Sequence, residues 1–598
     1  MFLRELKLWN FRKFGNGEFD LSKPHLHVEF KKGLNVLIGE NDSGKTAILD
    51  AVKLVLKTHA YEWIRVEEKD FHKGTDKLRI ELILAELEPE EAKNFIEWLG
   101  WEGDGEQVKP ILKLILQVEK NKDRILPSDV KAGMDDVGYT LDAEARDYLK
   151  TTYLRALRDA DSELIAKKNS RLSQILKEHD LFKEKDGIVH PFVANFKNAN
   201  KEIKEWFNKS EENEGGKPSN KKQIKDVIDS FLSAFISDQY KSNITLSDEE
   251  IKSILEKISL GIDGMSNLGL GTLNRLFMAV ELLHLKKQWD GLKLCMIEEL
   301  EAHLHPQAQM KVIEALQKEK NVQFILTTHS PNLASKVKLN ELILCNGNDL
   351  YPLGKNTGLV EKDHKYLEHF LDVTKSNLFF AKGVIIVEGW AEQILIPAIA
   401  KKLGYDLSAK EVSIVNVGST AYLHFARIFL RKDEKKINVP VAIVTDLDNR
   451  PESDDGTFDG AEAASKLAQI KKKIGNLDQT NITLNVAKEW TLEWCLFKSS
   501  LSELFKESVA EVHSRTKSFK RNEETNEWDP NFMKALISKL KKGKGDSPLD
   551  KVAVATVMAN KIENASITPD QDPFKTPGDE YLQYIIDAIK HTCKENGD

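Results

Sequence analysis

The sequence predicts an α/β protein with two sheet-based domains in tandem and a helical segment inserted into the first. Residues 33–38 are an apolar run that leads into a glycine-rich loop and then into an apolar helix at 47–52. Residues 383–387 and 441–445 are short β-branched runs, typical of central parallel strands that are covered on both faces. A chain of 598 residues is too long for a single core.

The glycine-rich loop at 39–46 reads Gly-Glu-Asn-Asp-Ser-Gly-Lys-Thr and lies between a predicted strand and a predicted helix, as in a Walker A phosphate-binding loop. Such loops turn backbone N–H groups toward phosphates, and the helix N-terminus adds partial positive charge. We expect Lys45 to reach the β- and γ-phosphates of ATP and Thr46 to bind Mg²⁺. A glycine-rich turn without nucleotide is the alternative. The residues of this loop predicted to bind the cofactor are Asn41, Ser43, Gly44, Lys45 and Thr46.

A matching acidic strand comes late in the chain, where the apolar run 292–297 ends in Glu298-Glu299. Glu298 stands where most such strands carry Asp, and it would hold Mg²⁺ through water. Glu299 would orient or deprotonate the water that attacks the nucleotide. His329 directly follows the predicted strand 323–328, which places it at the γ-phosphate end of the sheet.

The histidines near this strand allow a second interpretation. His303, His305 and His329 could form a metal site of their own. That idea is weakened because no cysteine or carboxylate stands at zinc-binding spacing.

Two further segments resemble parts of ABC-type ATPases. Arg12 follows the first predicted strand, 2–8, where this class usually contacts the nucleotide base. Residues 266–275 contain Gly269 and Gly271 ahead of an apolar helix at 276–285. They resemble a degenerate signature motif, which in ABC-type ATPases completes the partner's ATP site across a dimer, although a plain helix N-cap is the alternative.

Acidic residues follow both β-branched runs of the second domain. Glu388 and Glu392 come after the first run, and Asp446 and Asp448 after the second. Carboxylates placed there meet at the carboxyl edge of a parallel sheet, where α/β sheets bind ligands. They would repel one another unless a divalent cation, Mg²⁺ or Mn²⁺, neutralised them.

This Glu-Gly…Asp-x-Asp arrangement resembles the Toprim domain, a Rossmann-like metal-binding module. Glu452 is an additional candidate ligand, with Asp454 and Asp455 as rivals. The alternative is that Glu388 caps a helix and that the two aspartates only begin a turn.

The spacing of the motifs sets the expected domains. The ATPase domain should occupy 1–141 and 261–371, and the Toprim domain, ending in helices, 372–598. Residues 142–260 should be a helical insertion used for dimerisation, because apolar residues such as those of 148–154 and 224–236 recur at helical spacing. The polar stretch 210–222 is predicted to be a loop.

Composition sets further limits. The chain is 41% hydrophobic and 30% charged with a formal net charge of −8, and it contains no apolar run near the ~20 residues that span a bilayer. Its four scattered cysteines favour reduced thiols and a cytoplasmic location. Basic clusters at 471–473, 515–521 and 539–544 favour a DNA-facing groove beside the acidic residues.

An ABC-type ATPase followed by Toprim, without long coiled coils, resembles the OLD (overcoming lysogenization defect) family of nucleases. The resemblance implies hydrolysis of DNA phosphodiesters under the control of ATP, in defence against phage. It also implies that Lys551, within the Lys-x-x-x-Ala segment 551–555, stabilises charge on the scissile phosphate, with Lys544 as the alternative. Glu493 lies in another segment that resembles the family, where a packing helix is the other interpretation.

The same resemblance implies DNA as substrate, a homodimer or larger homo-oligomer, and no membrane. A helicase or a reverse transcriptase–DNA complex is left open as a defence partner, as is the sign of regulation by ATP. The main alternative function is an SMC-like DNA clamp whose Toprim module binds metal without cutting. A topoisomerase would need a nucleophilic tyrosine in a separate domain, and a primase would need a zinc-binding cysteine set.

Overall fold

The structure is a computed structural model. It describes residues 1–60, 64–103, 108–122, 124–155, 163–183, 189–208, 226–230, 232–233, 242, 250–265, 267–285, 291–433, 435–474, 477, 480–541, 547–564 and 579–594. None of the helices in these ranges combines the length and the apolar character that a bilayer crossing requires.

The described strands are β1 (Phe2–Trp9), β2 (Leu26–Glu29), β3 (Leu34–Ile38), β4 (Lys77–Ala85), β5 (Leu99–Glu102), β6 (Lys109–Asn121), β7 (Arg124–Ile125), β8 (Lys131–Ala132), β9 (Tyr139–Thr140), β10 (Thr152–Leu154), β11 (Leu294–Ile297), β12 (Gln323–Thr327), β13 (Leu342–Asn346), β14 (Asp349–Pro352), β15 (Gly383–Val387), β16 (Val412–Asn416), β17 (Val441–Thr445) and β18 (Ile482–Val486).

The described α-helices are α1 (Lys45–Leu56), α2 (Pro89–Ala92), α3 (Ala143–Tyr148), α4 (Arg171–Glu178), α5 (Pro191–Asn208), α6 (Ile251–Leu255), α7 (Leu270–Leu285), α8 (Pro306–Lys318), α9 (Pro331–Ala334), α10 (Glu361–Phe370), α11 (Trp390–Lys402), α12 (Tyr422–Ala426), α13 (Gly460–Ile474), α14 (Leu492–Lys498), α15 (Ser502–Val512), α16 (Phe532–Leu540), α17 (Lys551–Asn564) and α18 (Gln583–Thr592).

An antiparallel sheet forms one layer of the N-terminal region. Its order is β2-β1-β4-β6-β8-β9, with β5 and β7 also paired to β6. Leu6 of β1 lies opposite Leu82 of β4, and both belong to one apolar cluster with Ile48 and Val52 of α1. The nucleotide-loop helix is therefore held against this sheet by apolar packing.

A second sheet carries the predicted nucleotide motifs. Its order is β10-β11-β12-β3-β13-β14, parallel except for the antiparallel final pair. The strands β3, β11 and β12 are buried along their whole length, as the apolar runs predicted. Their carboxyl ends share one edge, so the loop after β3 meets the acidic pair after β11 and the histidine after β12.

The insertion begins later in the chain than its predicted start at 142. β10 pairs in parallel with β11, placing Thr152–Leu154 opposite Cys295–Ile297. The helical interpretation of 148–154 is therefore wrong, since α3 ends at Tyr148 and the ladder with a buried strand outweighs the local periodicity. Helices α4, α5 and α6 agree with a helical insertion, whereas 210–222 lies outside the described residues, as do 224–225, 231 and 234–236.

The third sheet is entirely parallel, with the order β16-β15-β17-β18. β15 and β17 are fully buried, which confirms the two β-branched runs as central strands. An apolar cluster on one face joins Val387 and Val444 to α11, α14, α17 and α18.

Backbone and side-chain contacts join the second and third sheets through the hairpin β13–β14. The Tyr351 hydroxyl donates to the Lys436 carbonyl at 2.8 Å, and Arg431 donates to the Pro352 carbonyl at 2.9 Å. Farther along, the buried Asp363 accepts hydrogen bonds from Arg427 at 3.1 Å and pairs with His424 at 2.6 Å. The segment 424–436 of the third-sheet domain is thus fastened to the ATPase sheet.

Candidate functional site

The phosphate-binding loop connects β3 to α1. Gly39 has φ = 139°, and a Cβ there would lie 2.3 Å from the carbonyl oxygen of Cys345 in β13. Lys45 is 4% exposed, and its Nζ donates to the Gly39 carbonyl at 2.9 Å and to Ser43 Oγ at 3.1 Å. Loss of hydration lowers the pKa of Lys45. The ammonium is therefore confined within the loop, as phosphate binding requires.

The loop and the acidic strand meet through a hydroxyl–carboxylate contact. Thr46 Oγ1 donates to Glu298 Oε1 at 2.7 Å, and the Tyr153 hydroxyl donates to Glu298 Oε2 at 2.7 Å. Thr46 and Glu298 are the two residues expected to share a Mg²⁺ ion in this class of loop. The longer arm of Glu298 thus reaches the position that an aspartate usually serves, and β10 supplies Tyr153 as a second partner.

The residues that follow β11 and β12 are also adjacent. Glu299 has φ = 44°, and its N–H donates to Thr327 Oγ1 at 3.0 Å. The His329 N–H donates to Glu301 Oε1 at 2.6 Å. Loss of hydration and the nearby Lys45 lower the pKa of His329, which favours a neutral imidazole beside the loop. His303 is exposed and is part of no histidine metal group in the described residues.

Arg12 lies in a different setting from the one predicted. Its guanidinium pairs with Asp50 at 2.8 Å and with Asp70 at 2.9 Å. A cavity of about 430 Å³ opens beside it, lined by Asp50, Lys53 and Arg65 among others. As placed, Arg12 ties α1 to the segment before β4, and a base would have to compete with two carboxylates for it.

The glycine motif lies inside the first turn of its helix, because α7 begins at Leu270 and not at 276. A Cβ on Gly271 would lie 2.6 Å from the His303 carbonyl oxygen, whereas nothing lies within 4 Å of one on Gly269. Asn274 Nδ2 donates to the Ala302 carbonyl at 3.3 Å. The motif thus has a packing role against the segment after β11, and Gly269 lies open on the same turn.

The acidic residues of the third sheet come together at its carboxyl edge. Loss of hydration, with Asp448 and Glu392 adding to it, raises the pKa of Glu388 to about 7. Loss of hydration also raises the pKa of Asp446 well above its usual range, with Glu493, Glu392 and Glu388 adding to the shift. Each acid therefore lies within electrostatic reach of at least one other. We call Glu388, Glu392, Asp446, Asp448 and Glu493 the acidic set.

Short hydrogen bonds hold several members of this set. The Thr445 hydroxyl donates to Glu388, and the Leu492 N–H donates to Asp446 Oδ1 at 2.9 Å. Asp448 has φ = 55°; its N–H donates to the Trp490 carbonyl at 2.9 Å, and Lys466 Nζ donates to its carbonyl at 2.6 Å. The loop after β17 is thereby fixed from two sides.

An ion pair between a half-exposed lysine and a buried glutamate completes the edge. Lys551 Nζ lies 2.8 Å from Glu493 Oε2, and Glu493 is 3% exposed. The carboxylates of Glu493 and Asp446 outweigh loss of hydration and raise the pKa of Lys551. Lys551, predicted only from the family resemblance, therefore contacts a member of the acidic set directly, whereas Lys544 lies outside the described residues.

Two functional candidates escaped the sequence analysis in whole or in part. Glu493, left without a role, follows β18 as the other acids follow β15 and β17, and that shared position was the available signal. Tyr422 of α12 hydrogen-bonds to Thr445 and lies beside Glu388 and Asp448. Tyr422 lies on the helix after β16 and does not directly follow a buried strand, so the sequence gives no local sign of its place near the acids.

The structure does not bring the other acidic candidates into the set. Glu452 is exposed, and its N–H donates to the Thr457 carbonyl at 2.9 Å. Asp454 lies 3.7 Å from Lys534, and Asp455 accepts from the Thr457 hydroxyl at 2.6 Å. These three belong to a surface turn between β17 and α13.

The basic clusters differ in exposure. Residues 471–473 are exposed at the end of α13. Lys539, by contrast, is buried and donates to the Ser547 carbonyl at 3.0 Å, so it is unsuited to contact DNA. Arg521 pairs with Glu503 at 3.0 Å and lies over the Trp528 ring.

The acidic set has the chemistry of a site for a hard divalent cation, because all its donors are carboxylate oxygens. Within the described residues, no three His, Cys, Asp or Glu side chains already stand as a metal cage. The carboxylates are neighbours that must turn toward a common ion. Loss of hydration is the main cause of the raised pKa values of Glu388, Glu392 and Asp446, and the repulsion from neighbouring carboxylates that adds to it would be relieved by a bound cation.

Comparison with known proteins agrees with the two-domain arrangement. A family described as "AAA domain, putative AbiEii toxin, Type IV TA system" matches residues 34–335, just over half of the chain. A second, "Overcoming lysogenization defect protein-like, TOPRIM domain", matches residues 379–448. An ATPase domain and a Toprim domain together imply that the chain uses a nucleotide and a divalent metal.

Several known proteins are similar to this chain in sequence. The chain is 24% identical to Endonuclease GajA of Bacillus cereus (strain HuB5-5), over 76% of this chain and 78% of that protein. It is 25% identical to Retron Ec83 probable ATPase of Escherichia coli, over 57% and 71% respectively. Among solved structures, the C-terminal region of the Xanthomonas campestris pv. campestris OLD protein aligns at 22% identity, covering 36% of this chain and 94% of that chain, with a TM-score of 0.22.

Proposed function

The chain belongs to the family of AAA-domain ATPases and carries an OLD-like Toprim domain, and from this premise we propose that it is a divalent-metal-dependent DNA endonuclease regulated by ATP. In this proposal, residues 1–141 and 261–371 form the ATPase domain, 142–260 contain the helical insertion, and 372–598 form the nuclease domain. Strand β10, which lies within 142–260, then completes the ATPase sheet.

The observation that supports nuclease chemistry most directly is the meeting of the acidic set with Lys551 at one sheet edge. Bound divalent cations would activate a water molecule and stabilise the leaving oxygen of a phosphodiester. Glu388, Glu392, Asp446 and Asp448 would hold those cations. Glu493 would keep Lys551 in place through the 2.8 Å ion pair, and the ammonium would neutralise charge on the scissile phosphate.

Mg²⁺ or Mn²⁺ suits these residues best. Both ions prefer oxygen ligands, whereas zinc sites are usually built from cysteine and histidine. Glu452 could serve as a further metal ligand only if the surface turn at 452–457 moved. We therefore assign the metal ligands to Glu388, Glu392, Asp446 and Asp448.

ATP would bind at the second sheet. Lys45, together with Asn41, Ser43 and Gly44 of the loop, would hold its phosphates, while Thr46 and Glu298 would share its Mg²⁺. Glu299 and His329 would act at the γ-phosphate. Gly269, exposed at the start of α7, would face the nucleotide of a second copy in a homodimer, and Arg12 would adjoin the base only after leaving its aspartates.

The biological setting we propose is defence against phage, in the reduced environment of the cytoplasm. Relatives named for an endonuclease and for a retron ATPase support a nuclease that works with a second component. A helicase or a reverse transcriptase–DNA complex would fit as that component, with the homo-oligomer as the active unit.

Plasmid cleavage tests the proposal. The native protein should nick or cut DNA with Mn²⁺ or Mg²⁺ and not with EDTA. Asp446→Ala should abolish cleavage and retain ATP binding, while Lys45→Ala should lose ATP binding and retain metal binding. A protein that shifts plasmid in a gel but leaves it intact under every metal condition is a clamp and not a nuclease, and retained metal-dependent nicking by Asp446→Ala would defeat the site assignment.

A further inference from the structure

Tyr584 is a buried tyrosine with an unusual hydroxyl. It lies in the first turn of α18 and is 8% exposed. Its Oη is fully buried and has no hydrogen-bond partner among the described residues. Most buried polar groups in proteins have a partner, and each exception calls for a physical reason.

Packing alone does not supply that reason. The Tyr584 ring belongs to the apolar cluster that includes Val387, Val444 and Trp494, where a phenylalanine ring would serve equally well. An unsatisfied buried hydroxyl destabilises the fold by roughly 1–3 kcal/mol. Among the described residues, therefore, nothing offsets the loss of hydration of this hydroxyl.

The direction of α18 places this hydroxyl at the functional edge. At the far end of the helix, His591 Nε2 lies 2.9 Å from the Asn481 carbonyl, just before β18. A Cβ on Gly383, which begins β15, would lie 2.5 Å from the Thr592 carbonyl oxygen. The helix therefore runs antiparallel to the strands, and its first turn lies at their carboxyl ends.

The neighbours of the Tyr584 hydroxyl agree with this placement. Loss of hydration raises the pKa of Tyr584 well above its usual value, and the nearby Cys495, Asp446, Glu392 and Glu493 add to the shift. The phenol therefore keeps its proton. Three of these four neighbours are carboxylates of the acidic set, which can only accept hydrogen bonds when ionised.

We propose that Tyr584 is a positioning residue of the metal site, whose hydroxyl donates a hydrogen bond to a carboxylate of the acidic set when a divalent cation is bound. This inference rests on the proposed function. A cation turns the carboxylates toward itself and keeps them ionised, and a neutral donor behind them satisfies a remaining lone pair without repelling the metal. Lys551 supports the carboxylates as a cation, whereas Tyr584 would support them as a neutral hydrogen-bond donor.

Tyr584→Phe tests the inference, because it removes only the hydroxyl. We expect the metal-free variant to unfold at the native temperature or above it, since an unpaired buried group has been removed. The Mn²⁺ concentration at half-maximal thermal stabilisation should rise about tenfold, as for other residues that support metal ligands. The Mn²⁺ dependence of plasmid cleavage should shift by the same factor.

Tyr581→Phe is the matched control. The Tyr581 hydroxyl donates to Glu489 Oε1 at 3.1 Å, two residues before the same helix begins. Its loss should lower the unfolding temperature of the metal-free protein and leave the Mn²⁺ midpoint unchanged. Tyr584→Phe should therefore change the Mn²⁺ midpoint without lowering the stability of the metal-free protein, and Tyr581→Phe should do the reverse.

Two results would overturn the inference. One is an unchanged Mn²⁺ midpoint in Tyr584→Phe, and the other is a marked loss of stability in the metal-free variant, which would assign the hydroxyl a structural partner. If the native protein shows neither Mn²⁺-dependent stabilisation nor cleavage, the proposed function itself fails, and that outcome is distinguishable because it does not involve the variant.

Discussion

Glu388 is a carboxyl group whose protonation should change near neutral pH. Its pKa is raised to about 7 from an ordinary value of 4.5, chiefly because the carboxyl group has lost hydration. Between these two values the folded, metal-free protein holds a proton that the unfolded chain releases. Metal binding must displace that proton, so affinity for the cation should increase with pH up to about 7.

This shift predicts a pH-dependent stability. Since the folded state binds the extra proton, the free energy of unfolding should fall as pH rises through the range between the two pKa values. Glu388→Gln removes the titrating group, so in EDTA it should be more stable than the native protein at about pH 8, by on the order of 1–3 kcal/mol. At about pH 4 the two should be equal. Urea unfolding at both pH values measures the difference, and parallel stability profiles would contradict it.

Lys466 supports a second single-residue prediction. Its Nζ donates at 2.6 Å to the carbonyl of Asp448, which has φ = 55°. Lys466→Met removes this bond, so the loop after β17 should loosen and the metal concentration for half-maximal cleavage should rise about tenfold. Lys471→Met, an exposed lysine on the same helix, is the control and should leave that concentration unchanged.

At the scale of elements, the two glycines at the start of α7 differ in packing. Gly271 packs against the segment after β11, whereas Gly269 lies in open space. Gly271→Ala places a Cβ 2.6 Å from the His303 carbonyl oxygen, so the helix or the 302–303 segment must shift. We expect a loss of about 1–3 kcal/mol of stability and slower ATP hydrolysis. Gly269→Ala, in open space, should leave stability unchanged. Thermal unfolding and ATPase assays on both variants check this, and equal stability losses would contradict it.

The elements that the sequence predicts well are those whose burial is uniform. β15 and β17 are buried at every position, and the loop after β3 has a fixed pattern of glycines around Lys45. β18 is only partly buried, so its sequence gives a weaker strand signal, and the position of Glu493 after it is harder to predict. Thr152–Leu154 has helical spacing with its neighbours but pairs with β11, which local periodicity cannot reveal.

At the scale of the whole molecule, the hairpin β13–β14 joins the two proposed active sites. Cys345 of β13 abuts Gly39 of the phosphate-binding loop, and the hairpin's other end binds Arg431 and Lys436. Arg431 and Lys436 belong to the segment 424–436, which begins just after Tyr422. Tyr422 in turn lies beside Thr445. A movement of the phosphate-binding loop therefore has a continuous packed route to the acidic set.

Arg431→Ala should weaken that coupling. The variant loses the hydrogen bonds to the Pro352 and Lys355 carbonyls at 2.9 and 3.3 Å. We expect the effect of ATP on the cleavage rate to shrink, while ATP hydrolysis and cleavage without nucleotide stay near native values. Arg521→Ala, which removes a surface pair with Glu503, is the control. Full ATP regulation in Arg431→Ala would show that the coupling runs elsewhere.

The long-range assembly of the site is what the sequence leaves open. Lys551, which only the family resemblance of 551–555 identifies, and Tyr584, which stands in no motif, both follow Asp446 by many residues. Their place beside the acids depends on how α17 and α18 pack. The dimerisation role of the insertion stays a prediction, because much of that segment lies outside the described residues.

The order of these parts along the chain matters during translation. A ribosome completes Glu388 through Glu493 before it reaches Lys551, and only later does it reach the helix that covers the sheet edge. A nascent or truncated product that stops short of Lys551 presents its acids with no ammonium to balance them, and should handle a scissile phosphate poorly. We therefore expect unfinished copies to cut DNA poorly, and a nonsense mutation shortly before the codon for Lys551 should abolish cleavage although all five acids are present.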